Sequence, residues 1–190
     1  DVRHVGPAPA VVGRVLRAAG TRQISPVVDV TNYVNLTVGQ PTHAFDAQKI
    51  SLPLTIRFAE RGESVTTLNG NVNKLTADDL VVADKNGPVD IAGVMGGADT
   101  EVSTTTQEIL LIASTLDDMA VRKSAQRHGI RTDASARYER GLPVELADRG
   151  RAMVVQMLLD MGAKLIAGAR QGEVESPQVI IEAKPERINQ

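Results

Sequence analysis

Ser25-Pro26-Val27-Val28-Asp29-Val30-Thr31-Asn32-Tyr33-Val34, followed by Gly39-Gln40-Pro41-Thr42-His43-Ala44-Phe45-Asp46, is the stretch that decides how this chain reads. Ser25 can cap a helix, and Pro26 suits its first turn, where the missing N–H would have no intrahelical partner anyway. Val27, Val30, Val34 and Val38 recur at helical spacing, and Gly39 can end the helix in a left-handed conformation. The pattern predicts a helix over 26–38. Thr31, Asn32 and Tyr33 fall between the apolar positions, and the chain after the stop returns His43 to one end of that helix. A core helix has no need of an Asn and a His placed this way, so the cluster points to a site.

On the N-terminal side, Val12, Val15, Leu16 and Ala19 predict a helix within 9–19 that stops at Gly20. On the C-terminal side the period changes. Leu54, Ile56 and Phe58 alternate as a half-buried strand should. Asn69-Gly70 between two short apolar runs predicts a hairpin with a type I′ turn, and Lys85-Asn86-Gly87 predicts a second hairpin. Residues 108–113 read as a buried strand. Helices return over 117–128, 133–140 and 144–161, and short strands near 163–167 and 178–183 close the chain. Strands in the middle and helices at the ends favour an α+β fold, a mostly antiparallel or mixed central sheet with flanking helices.

Composition narrows the function classes. The 190 residues are 42% hydrophobic but only 2% aromatic, so Val, Leu, Ile and Ala must fill the core. A formal charge of −2 argues against a wholly basic nucleic-acid-binding domain. The absence of cysteine removes disulfides and thiolate zinc sites and fits a reducing compartment such as the cytoplasm. No apolar run approaches the ~20 residues of a membrane span.

Chemistry is signalled unevenly. His4, His43 and His128 form no H-x-x-x-H pair, and His43 with Asp46 supplies two metal ligands at most, so no metal is expected. There is no G-x-S-x-G elbow. Gly93-Val94-Met95-Gly96-Gly97 lacks the Lys-Ser/Thr of a phosphate loop; it can be a tight turn after a strand, or a place where backbone N–H groups approach a ligand. Arg122, Lys123, Arg127, Arg131, Arg137 and Arg140 make 119–141 locally basic, as a solvated helical face or as phosphate contacts. Within it, Thr132 or Asp133 can cap the next helix.

These pieces, in this order, resemble the B3/B4 region of the bacterial phenylalanyl-tRNA synthetase beta subunit. The carriers are Val27 to Val34, Gly39 to Asp46, Gly93 to Gly97, and Thr132-Asp133-Ala134-Ser135-Ala136-Arg137-Tyr138-Glu139-Arg140-Gly141. The resemblance implies an editing domain over 1–175, built of two intertwined subdomains, with 176–190 entering a following region. It implies hydrolysis of tyrosine wrongly esterified to the phenylalanine tRNA, tRNA(Phe). The need is physical: a hydrophobic pocket rejects an added hydroxyl by only about 10²-fold. The implied partners are the acceptor end of tRNA(Phe) and an alpha subunit in an α2β2 assembly, with no membrane. ATP and magnesium belong to the full synthetase, and no cofactor to this domain.

Carried over by position, His43 is the catalytic residue, orienting or deprotonating a water, as suits an imidazole titrating near neutral pH. Thr31 and Asn32 hold the aminoacyl or terminal-ribose groups. Gly96 and Gly97 lend N–H groups to the ester oxygen. Thr132 and Ala134 line the pocket. No protein nucleophile is implied; water attacks, with or without help from the terminal ribose hydroxyl. One departure stands out. The family's Leu-Leu-Glu strand reads Leu110-Leu111-Ile112 here, and its glutamate binds the tyrosine phenol. Ile112 cannot accept a hydrogen bond. A non-catalytic module that positions tRNA, its editing decayed, is therefore the competing reading; a general RNA-binding domain fits the acidic pI less well.

Overall fold

The computed structural model describes residues 1–170 and 172, and the strand expected near 178–183 lies outside them. Five helices run α1 (Ala10–Ala18), α2 (Pro26–Val38), α3 (Asp118–His128), α4 (Asp133–Tyr138) and α5 (Val144–Asp160). Eight strands run β1 (Thr42–Asp46), β2 (Thr55–Phe58), β3 (Ser64–Thr66), β4 (Val72–Lys74), β5 (Leu80–Asp84), β6 (Gly87–Ile91), β7 (Met95–Gly96) and β8 (Ile109–Ala113). Every strand pairing among the described residues is antiparallel, in three sheets: β1-β8, β2-β5-β6-β7 and β3-β4. The α+β architecture expected is the one observed.

Local chemistry sets the helix ends. The Ser25 hydroxyl accepts the Val28 N–H, and Gly39 leaves α2 at φ +88°. Asp117 caps α3 by accepting the Ala120 N–H, and Gly129 ends it at φ +63°. Thr132 and Ser135 form a reciprocal capping box on α4. Val27, Val30 and Val34 of α2 are buried against Val154 and Leu158 of α5 and Ala44 of β1. That packing holds α2 beside β1, so the polar face of the helix and the strand bearing His43 share one side of the molecule.

Four details depart from expectation. The β3–β4 connection is not a type I′ turn, because Asn69 has no positive φ. Instead Gly70, at φ +82°, closes a three-residue loop, with the Gly70 N–H on the Thr67 carbonyl and the Thr67 N–H on the Asn71 carbonyl. Ile56 and Phe58 of β2 are exposed rather than half-buried, since β2 is an edge strand. β8 is half-buried throughout, because a two-stranded sheet covers it along one edge only. Residues 163–167 form no strand. Gly162 turns the chain at φ +103°, and Lys164 is tied back by a single reciprocal pair of bonds with Asp1, too few for a ladder.

Candidate functional site

A cavity of about 510 Å³ opens between α2, β1, β8, the 93–96 loop and the start of α4. Its volume lies within the roughly 300–1,000 Å³ of small-molecule sites. Thr31, Asn32, His43, Gly96, Ile112, Thr132 and Ala134 all line it. Long-range pairing accounts for the convergence. His43 stands opposite Ile112 in the β1–β8 register, so both side chains share one face of that sheet.

His43 dominates the site. Its ring meets Phe45 edge-on, with centroids 4.5 Å apart. Its Nε2 is out of solvent and has no hydrogen-bond partner. Burial pulls the imidazole down to about 4, so it is neutral across the physiological range, below the titration near neutral pH expected of it. A neutral ring can accept a hydrogen bond from, and so orient, a water or hydroxyl; it is a poor store for a proton.

The glycine loop is built for close approach. A β-carbon on Gly93 would lie 2.7 Å from Leu116 Cδ1, and one on Gly96 would lie 2.6 Å from His43 Cε1. The two last glycines then part. The Gly97 N–H is taken by the Val89 carbonyl at 3.0 Å, and a β-carbon there would strike that carbonyl. Gly97 is therefore turned into the sheet and does not line the cavity, contrary to the role expected of it. Strand alternation turns Gly96 the other way, and its carbonyl accepts the Leu68 N–H. Gly96 itself lines the cavity.

The polar residues of the site divide by what their hydrogen bonds already do. The Thr31 hydroxyl donates to the Val28 carbonyl at 2.8 Å, which leaves it only acceptor capacity. Asn32 makes no side-chain hydrogen bond within the described residues and is half-buried at the wall. The Thr132 hydroxyl donates to the Val94 carbonyl at 2.8 Å and accepts the Ser135 N–H at 3.1 Å. One side chain thus caps α4 and fastens the glycine loop to it.

Several wall residues were not singled out from sequence. Asn35 lies one turn from Thr31 and Asn32 on the same helix face, and its buried Oδ1 lacks a partner; helical spacing alone could have found it. Asp90 interrupts an apolar strand, a visible signal of a buried polar group. Tyr138 and Ser114 arrive only through tertiary packing. The Tyr138 hydroxyl lies 3.1 Å from the Ser114 carbonyl and 3.2 Å from Gln40 Nε2, and burial pushes it up to about 12. It is a neutral structural anchor. Among the described residues, no three His, Asp or Glu side chains converge to hold a metal. The basic segment is partly used internally: Arg127 pairs with buried Asp79, and Arg131 with Glu139 at 3.8 Å.

Fold and site together define an α+β domain with a pocket where apolar walls meet convergent polar groups. Residues 1–163 match the family model of the B3/4 domain, and the chain belongs to that family. It is 40% identical over 174 residues to the phenylalanine–tRNA ligase beta subunit of Haemophilus influenzae (strain 86-028NP), covering 92% of this chain and 21% of that protein. It is 42% identical over 188 residues to the same subunit of Gloeobacter violaceus, covering 98% of this chain and 24% of that one. The chain thus spans under a quarter of the length of these relatives. Among solved structures, an N-terminal fragment of the phenylalanyl-tRNA synthetase beta subunit from Pyrococcus horikoshii aligns loosely. Its TM-score is 0.42 at 15% identity, over 56% of this chain and 40% of that one. No helix among the described residues is long and apolar enough to cross a membrane.

Proposed function

We propose that this domain edits tRNA(Phe) as part of a phenylalanine–tRNA ligase beta subunit, hydrolysing the ester of a wrongly attached tyrosine. The observation that carries the reading is the meeting of Asn32, His43 and Gly96 at one cavity of amino-acid size. Val94, Met95, Ile112 and Leu116 offer the aromatic ring an apolar seat. Asn32 and Asn35 present amide groups to the aminoacyl or ribose end. The neutral His43 ring accepts a hydrogen bond from the attacking water and aims it at the ester carbon. In this reading the Gly96 N–H serves the oxyanion as a donor; one such donor is worth about 10²–10³ in rate. An alpha subunit and tRNA(Phe) are the expected partners, and ATP and magnesium act in the synthetic site elsewhere in the assembly.

Ile112 favours a second reading, a module that positions tRNA without hydrolysis, because no acceptor stands at its place on β8. One assay separates the two. The assembled synthetase is incubated with preformed Tyr-tRNA(Phe), and ester loss is followed against the spontaneous rate. Editing predicts acceleration that falls about 10²-fold or more in His43→Ala. Loss at the spontaneous rate by the unaltered protein supports the positioning module instead.

A further inference from the structure

The cavity wall carries two acidic residues. Asp133 is exposed in the first turn of α4, whereas Asp90 on β6 is only 5% exposed. The Oδ1 of Asp90 is sealed from solvent and has no hydrogen-bond partner. In the sheet register Asp90 stands opposite Val82 on β5 and Gly96 on β7. Opposed residues share a face, so the Asp90 side chain stands on the face of the sheet that Gly96 turns toward His43. A buried carboxyl without a partner is costly, and natural folds keep few of them. Among the described residues no hydrogen bond engages that oxygen, while the Tyr138 and Thr132 hydroxyls on neighbouring walls are engaged in bonds that hold the fold.

We propose, on the strength of the editing reading above, that Asp90 is the specificity-determining residue of this cavity: its carboxyl on β6 engages the hydroxyl of the esterified aromatic side chain, the task for which Ile112 on β8 has no polar atom. The ester is joined to a bulky RNA and must sit at the mouth, so the far end of the amino acid reaches the buried wall where the unpartnered Asp90 carboxyl lies. A phenol completes the hydrogen bonding of the carboxyl. A phenyl ring leaves it unpaired, and sites built to bond a substrate hydroxyl reject the analogue that lacks one. The carboxylate role moves from one strand of the cavity to another.

The test uses the full chain in its assembled synthetase. Deacylation rates of preformed tyrosyl and phenylalanyl esters of tRNA(Phe) are compared for the unaltered protein, Asp90→Ala, and Asp90→Ala with Ile112→Glu. Removing an unpartnered buried carboxyl lifts a cost, so Asp90→Ala is expected to fold. The tyrosyl-over-phenylalanyl rate ratio should fall about ten- to a hundredfold in Asp90→Ala, and Ile112→Glu should restore it. An undiminished ratio in Asp90→Ala overturns the proposal. Binding of the non-hydrolysable 3′-tyrosylamino and 3′-phenylalanylamino analogues of adenosine gives a readout free of catalysis. If neither ester is hydrolysed but the tyrosyl amide is preferred and Asp90→Ala abolishes that preference, the editing reading fails and the assignment of Asp90 stands. If the unaltered protein binds both amides alike, the assignment falls.

Discussion

His43 Cε1 occupies space that a β-carbon on Gly96 would fill, since the two would be 2.6 Å apart. The imidazole lies where it does because residue 96 has no side chain, and its ring also packs edge-on against Phe45. Gly96→Ala therefore displaces the ring. We expect a loss of ~1–3 kcal/mol in urea unfolding from overpacking. Ester hydrolysis should drop by a further factor of about 10² or more, because a misplaced catalytic group forfeits orientation. Unchanged hydrolysis in a folded Gly96→Ala protein would mean that the ring has no part in the reaction.

The neutral His43 makes a pH prediction with a defined sign. Its folded-state value of about 4 lies below the ordinary 6.5, so the folded protein binds fewer protons between them. The stability associated with the neutral ring is whole above about pH 6.5 and is lost toward pH 4, at about 1.4 kcal/mol per pH unit. Asp90 acts in the opposite sense. Burial holds its carboxyl well above the usual carboxylate range, so stability is lost as pH rises from the carboxylate range toward its folded-state value. Urea unfolding from pH 4.5 to 8 should show a flatter acid side in His43→Gln. Asp90→Asn should gain stability over the unaltered protein at pH 7, with the gain shrinking near pH 4. The hydrolysis rate, corrected for the spontaneous reaction, should show no rise centred near pH 6.5.

Thr132 ties two parts of the site with one hydroxyl. Thr132→Ala removes both the α4 cap and the bond to the Val94 carbonyl. The expected cost is about 1–2 kcal/mol by denaturant unfolding. Thr132→Ser keeps both bonds and should recover most of it. Hydrogen exchange should quicken in the 93–96 loop of Thr132→Ala and not of Thr132→Ser.

What could be read from the chain follows the range of the forces involved. The bounds of α2 were legible to the residue because Ser25, Pro26 and Gly39 act within one turn of where they stand. Thr132 marked the start of α4 for the same reason. Strand surroundings were not legible. Whether Ile56 and Phe58 are covered depends on β2 being an edge, and the half-burial of β8 depends on a partner sixty-odd residues away. In the site, Thr31, Asn32, His43, Gly96, Ile112, Thr132 and Ala134 could be brought to one cavity by motif, but Gly97 could not be told from Gly96 without the β6–β7 register. Asn35 and Asp90 were visible as polar residues in apolar runs and needed coordinates to show which way they face. His43 was legible as a site residue but not in its protonation, which burial alone decides.

The most direct measurement is a crystal structure of the assembled synthetase with 3′-tyrosylamino adenosine. The aromatic ring is predicted to lie between Ile112 and the 93–96 loop, with its hydroxyl on Asp90 and the amide that replaces the ester beside His43 and the Gly96 N–H. An analogue seated elsewhere, with this cavity empty, would contradict the account.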